Sequence, residues 1–237
     1  MFKNYIFDLY GTLVDIHTNE NKRSFWEKVR LYYLFHGAEY SANEIKKNYR
    51  RLCQLEEAKR DNCDEVEIDI TQVFQQIYED KGVKADKELV EETAKVFRIL
   101  SLDYVKLYEG VIELLEALKS QGKKVFLLSN AQREFTMPEF QMLKLPEYFD
   151  GILLSSDYGY KKPSPKFYSA LIEQYQLNPK ESIMIGNDYI ADIKGAKEAG
   201  LATLYIHSNI SPEIEGELLS DYTIMDGNVR LVKDMVL

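Results

Sequence analysis

The chain has 237 residues, 45% of them hydrophobic, with 30 basic and 39 acidic side chains and a formal charge of −9. That composition excludes an intrinsically disordered chain and supplies a core for one large domain or a domain carrying an inserted second one. Net acidity argues against a nucleic-acid partner, which needs a basic face, but allows a local positive pocket for a small anion.

The first predicted element is a strand over Asn4 to Phe7, followed at once by Asp8. After it, from about Ile16 to Lys106, no strand-like run is found. Four amphipathic helices are predicted there instead, over Arg23 to Phe35, Ala42 to Lys59, Ile70 to Lys81 and Lys87 to Leu100. The stretch is too long for a crossover and reads as an inserted helical domain. A helix over Gly110 to Gln121 comes next, with Val111, Leu114, Leu115 and Leu118 on one face and Gly122 closing it. Short apolar strands follow at Lys124 to Leu128, Gly151 to Ser155, Ser182 to Ile185 and Ala202 to Ile206. Helices are predicted between them, Lys166 to Gln176 after Pro165 and Tyr189 to Ala199 before Gly200. These strands lack strict alternation, as expected when both faces are covered. Strand and helix in turn imply right-handed βαβ units and a Rossmann-like, doubly wound parallel sheet. The expected division is a core of residues 1–15 and 106–237 with an all-helical cap at 16–105.

Two cysteines, Cys53 and Cys63, are too few for a disulfide framework and have no companion ligands at zinc spacing, so both are expected as reduced thiols. No apolar run reaches the roughly 20 residues of a membrane span. The chain enters its first strand without a basic segment and cleavable apolar core. A cytoplasmic protein is expected, without membrane contact and monomeric or homodimeric.

In an open parallel sheet, ligands bind beyond the carboxyl ends of the strands. The predicted strand ends carry Asp8, then Ser129 and Asn130, then Lys161-Lys162-Pro163-Ser164-Pro165, then Gly186-Asn187-Asp188 with Asp192. Each polar group alone has an ordinary explanation as a turn or cap residue. Together they place a hydroxyl, a lysine and several carboxylates on one edge.

In this order, Asp8 with Gly11-Thr12-Leu13, Ser129, Lys162 and Asn187-Asp188 with Asp192 resemble the four motifs of the haloacid dehalogenase (HAD) superfamily of hydrolases. The resemblance spans the chain, since that family's helical cap enters between the first and second motifs. It implies that Asp8 is a nucleophile forming a covalent aspartyl intermediate. Thr12, Ser129, Asn130 and Lys162 would bind the transferring group. Asp8, Asp188, Asn187 and Asp192, with the backbone carbonyl of Tyr10, would hold Mg²⁺, an ion suited to a few hard oxygen donors.

Tyr10 departs from the pattern, because phosphatases of this family usually carry a second aspartate two residues after the nucleophile. A phenol with pKa near 10 donates a hydrogen bond but is a poor base. Losing general acid–base help costs roughly 10²–10⁴ in rate. Three readings follow. One is a Mg²⁺-dependent phosphatase of a small phosphorylated metabolite, with Tyr10 among its catalytic residues. A second is a 2-haloacid dehalogenase, whose halide leaves without a proton and whose relatives carry tyrosine here. The third is a non-catalytic protein that binds a phosphorylated ligand. Asp15, His17 and Glu20 are candidates to supply the missing proton. Arg50 and Arg51 read as a solvated helix face, and His36 and His207 as isolated histidines. Phe25, Trp26, Tyr32, Tyr33 and Phe35 read as packing within the cap.

Overall fold

The computed structural model describes residues 2–59 and 65–237. Cys63 lies outside them, whereas Cys53 is a half-buried free thiol whose pKa burial pushes up to about 11. Strand β1 (Asn4–Phe7) leads through a turn to β2 (Val14–Thr18). Four helices follow: α1 (Arg23–Phe35), α2 (Ala42–Ala58), α3 (Ile70–Glu79) and α4 (Lys87–Ser101). Their starts are chemically marked. Ser41 and Glu44 form a reciprocal capping box, and Asp69 and Asp86 each accept a backbone N–H of the first turn.

The chain returns along β3 (Leu102–Leu107) and enters α5 (Val111–Ser120), β4 (Lys124–Ser129) and α6 (Arg133–Met142). Next come β5 (Gly151–Leu154), the short α7 (Ser155–Tyr158), α8 (Pro165–Gln174) and β6 (Ser182–Gly186). A π-helical stretch, Tyr189–Lys194, runs into α9 (Gly195–Glu198), followed by β7 (Ala202–Ile206), β8 (Tyr222–Ile224) and α10 (Arg230–Val236).

The main sheet has the order β5-β4-β1-β6-β7-β8 with every pairing parallel. Alternation within its strands divides the core between two faces. Tyr5 and Phe7 pack with Val125, Leu127, Ile183 and Ile185 beneath α5 and α10. Ile6, Phe126, Leu128 and Met184 pack on the other face against Phe167, Tyr168 and Leu171 of α8. Apolar burial on both faces explains why the strands read as continuous apolar runs. The expected α/β fold, a Rossmann-like sheet with a helical insert, is the observed one. No helix of the described residues is long and apolar enough to cross a membrane.

The stretch expected to lack strands contains the antiparallel ribbon β2–β3, in which Val14 pairs with Leu107 and His17 with Tyr104. Its signal is weak because the ribbon is largely solvated on β3 and its pairing joins residues almost ninety apart in sequence. Four other elements are additions to the expected set: α6, α7, β8 and α10. Ser155 opens α7 instead of closing β5.

The helices α1 to α4 share a separate cluster built on Phe25, Trp26, Tyr33, Phe74 and Phe97. Most of the predicted aromatic packing is found there. Tyr32 lies outside that cluster, edge-on to Tyr33, and Phe35 is 88% exposed at the end of α1.

Candidate active site

Asp8 follows the central strand β1, flanked by β4 and β6, and its N–H continues the ladder to the Ile185 carbonyl at 3.0 Å. This holds the carboxylate at the middle of the carboxyl edge. The next turn needs Gly11, whose φ is +88°. A Cβ there would run into the side chain of Asn187, so strands β1 and β6 deliver their loops into direct contact. Asp8 Oδ1 accepts from Lys162 Nζ at 2.7 Å and from Ser129 Oγ at 3.2 Å. No described residue donates a hydrogen bond to Asp8 Oδ2.

Lys162 is 2% exposed and also donates to Asp192 Oδ1 at 2.7 Å. Burial works to depress its ammonium, but Asp192 and Asp8 outweigh that and hold its pKa above the ordinary lysine value. Asn130 does not point freely into the site. Its side-chain amide brackets the Lys162 backbone, accepting from the N–H at 2.7 Å and donating to the carbonyl at 2.9 Å.

Asp192 is buried over Gly186, where a Cβ would collide with its carboxylate. Its Oδ1 takes Lys162, and its Oδ2 accepts from the Asp188 N–H at 2.9 Å. Asp192 thus holds the lysine through one oxygen and the Asp188 backbone through the other. Asp188 caps the π-helical stretch, its Oδ1 accepting from the Ile190 and Ala191 N–H groups at 2.8 Å each. Thr12 donates a long bond of 3.4 Å to Asn187 Oδ1, while Asn187 Nδ2 donates to Ser211 at 3.3 Å.

Asp8, Tyr10, Ser129, Asn130, Lys162, Asn187, Asp188 and Asp192 thus line one cavity of about 180 Å³, together with Ile210 and Pro212. Thr12, expected at the same site, lines instead a neighbouring cavity of about 370 Å³ with Tyr108, His207 and Asn209.

The Tyr10 phenol donates to Glu139 Oε2 at 2.5 Å, and Thr136 Oγ1 lies 3.2 Å from the same hydroxyl. Arg98 pairs with Glu139 Oε1 at 2.6 Å, and its guanidinium lies 5.5 Å from the ring centroids of both Tyr10 and Phe135. Burial, then the Glu139 charge, pushes the Tyr10 pKa far above the ordinary phenol value, so the hydroxyl stays protonated. Arg98 and Glu139 were not among the sequence candidates. They lie 41 residues apart on α4 and α6, and no local pattern joins them.

The proposed proton sources are placed elsewhere. Asp15 accepts from Tyr104 and Asn209, and His17 pairs with Asp103 on the solvated ribbon. Glu20 lies near Arg98 and Arg50, and none of the three lines the Asp8 cavity. Arg51 pairs with Asp80 on the outside of the insert, as a solvated helix face would.

The model of the haloacid dehalogenase-like hydrolase family matches residues 2–200. The chain belongs to this family. Among curated HAD-like relatives, human N-acylneuraminate-9-phosphatase is 24% identical, the match covering 86% of this chain and 82% of that protein. The phosphoglycolate phosphatase of Aquifex aeolicus is 36% identical over 52% of this chain and 62% of its own length. Pyrophosphatase PpaX of Bacillus cereus is 32% identical over 51% of this chain. That match spans only 57% of the pyrophosphatase. Among solved HAD-like structures, a 2-haloacid dehalogenase from Pseudomonas syringae aligns with a TM-score of 0.69 at 20% identity, covering 99% of this chain and 97% of that one. A HAD phosphatase from Thermococcus onnurineus aligns at 0.62 and 19%, with the same coverage. These structures bear on the fold alone.

Proposed function

We propose that this HAD-like hydrolase is a Mg²⁺-assisted phosphatase of a small phosphorylated metabolite, with Asp8 as nucleophile. The observation that carries the reading is the asymmetry of Asp8. Lys162 and Ser129 hold Oδ1, leaving Oδ2 as the attacking atom facing the cavity residues. Oδ2 attacks phosphorus, the ester oxygen leaves, and water then hydrolyses the aspartyl phosphate to restore the carboxylate. Lys162 offsets phosphoryl charge beside the nucleophile. The phosphatases among the curated relatives support this reading.

The donor set suits a divalent ion. Asp188 Oδ2 accepts no hydrogen bond among the described residues, and the Asp188 and Asp8 carboxylates both line the cavity. No group of three His, Cys, Asp or Glu side chains forms a metal cluster among the described residues. The Tyr10 carbonyl, Asn187 Oδ1 and water therefore complete the proposed set, in the manner of Mg²⁺, which keeps several waters. Such an ion neutralises phosphoryl charge when bound.

Tyr10 sets the limit of the chemistry. Its protonated phenol, held by Glu139, cannot act as base, so substrates with good leaving groups, such as acyl or aryl phosphates, suit this site best. The helical insert, proposed as a cap over residues 16–105 on the stalk β2–β3, excludes water and selects the substrate. A reduced, cytoplasmic setting belongs to the same proposal.

Tyr10 also favours a second reading, 2-haloacid dehalogenation, in which no leaving-group proton is needed. One assay separates the two: an activated aryl phosphate and a 2-chloroacid, each with Mg²⁺ and with chelator. Phosphate release abolished by chelation, and by Asp8→Asn, is expected. Chloride release without metal would replace the phosphatase reading with dehalogenation. Ligand binding without either turnover would favour a binding protein.

A further inference from the structure

We propose that Glu67 of the helical insert is a positioning residue for Lys162, so that docking of the insert sets the catalytic lysine. The proposal rests on the hydrolase reading of the Asp8 site.

Residues 65–69 lie between α2 and α3 and cross onto the loop that precedes Lys162. Val66 and Tyr160 form an antiparallel bridge. The Lys161 N–H donates to the Glu65 carbonyl at 3.0 Å, and the Glu67 N–H donates to the Gly159 carbonyl at 3.2 Å. From this backbone anchor the Glu67 carboxylate reaches the ends of β4 and β5. Oε2 accepts from Ser155 Oγ at 2.5 Å, and Oε1 accepts from Gln132 Nε2 at 2.8 Å. Gln132 also grips the strap itself, donating to the Ile68 carbonyl and accepting from the Ile70 N–H.

Ser155 is fully buried and has one proton to give. With that proton on Glu67, its lone pairs are turned to accept from the Ala131 N–H, which they do at 2.8 Å. A carboxylate acceptor makes this orientation strong. Without Glu67, the acceptor remaining in reach of the hydroxyl is the Ala131 carbonyl at 3.4 Å. Turning there would weaken the grip on the Ala131 N–H. Ala131 is the neighbour of Asn130, whose amide brackets both backbone groups of Lys162. The path therefore runs from insert to Glu67, Ser155, Ala131, Asn130 and Lys162, every step a hydrogen bond or a peptide link. Among the described residues Glu67 has no ion-pair partner, so its charge is directed at neutral donors on this path.

The test measures amide hydrogen exchange at Lys162 and turnover of an activated aryl phosphate in wild type, Glu67→Ala, Ser155→Ala, the double variant and Glu65→Ala. Glu67→Ala is expected to speed exchange of the Lys162 amide by about tenfold or more while amides of β1 keep their protection. In the active enzyme kcat is expected to fall by about tenfold with KM changed less than about twofold. The double variant is expected to match Ser155→Ala alone, since both cut one path. Glu65→Ala, which contributes only its carbonyl, is expected to leave both readouts unchanged. Unaltered Lys162 exchange in Glu67→Ala, faster exchange with unaltered turnover, or additive effects in the double variant would each overturn the proposal. If wild type turns over no phosphate ester, the hydrolase reading fails and the exchange measurements decide the positional role alone.

Discussion

Lys162 lies between two carboxylates with almost no exposure, and its geometry has two consequences. It holds Asp8 Oδ1 in place, and it cancels charge that would otherwise be stranded under the sheet edge. Lys162→Met is therefore expected to remove turnover and also to destabilise the fold by roughly 3–5 kcal/mol, because Asp192 is left buried without its cation. Urea denaturation measures this, and a variant as stable as wild type would show that the pair is energetically neutral. At this scale the sequence was informative where side chains follow strand ends. Asp8, Ser129, Lys162 and Asp188 reach one cavity because parallel strands end on one edge. It was uninformative for Asp15, His17 and Glu20, which neighbour Asp8 in sequence but depart along the ribbon. Nearness in sequence sets a distance limit, not a direction.

The elements meet at a buried contact of unusual composition. Helix α4 of the insert presents Arg98, helix α6 presents Glu139, and the turn after β1 presents Tyr10. The Arg98 and Glu139 side chains are only 15% and 6% exposed. Removing one partner strands the other, so Glu139→Ala is expected to cost roughly 3–5 kcal/mol in urea unfolding. The double variant with Arg98→Ala is expected to recover part of that loss, through negative coupling in a double-mutant cycle. Strictly additive losses would mean that the two charges do not interact. This contact could not be read from the sequence. Helices α1 to α4 were legible from apolar spacing and caps, because those signals are local. The partner chosen by an exposed-looking arginine is not local, and neither is the pairing of β2 with β3.

Across the whole molecule, a further set of charged contacts lies at the edge of the sheet opposite the Asp8 site. The Asp8 site lies at the carboxyl ends of the strands. Near their amino ends, Asp150 accepts from Lys119, Lys124 and the Val125 N–H at 2.9 Å each, and Asp221 accepts from Lys197 and the Thr203 N–H at 2.8 Å. Partial burial works against ionisation at both, but these donors prevail and hold both carboxyls below the ordinary aspartate value of 3.8. A depressed folded pKa gives stability that is complete above the unfolded value and lost as pH falls through the folded one. Asp150→Asn is thus expected to be less stable than wild type at neutral pH, with the gap closing below pH 3.8. Urea midpoints between about pH 7 and pH 3 measure it, and a gap independent of pH would refute the linkage.

The sequence by itself determined the parallel sheet, the insertion of helices after the first strand, the family and most of the residues around Asp8. Those follow from local apolar patterns and from the rule that parallel strands end together. Tertiary structure alone decided which oxygen of Asp8 stays free, that Asp192 anchors Lys162, that Tyr10 gives its proton to Glu139, and that Glu67 reaches Ser155. Each of these is a contact between side chains distant in sequence. Their partners are chosen by packing, which no window along the chain contains.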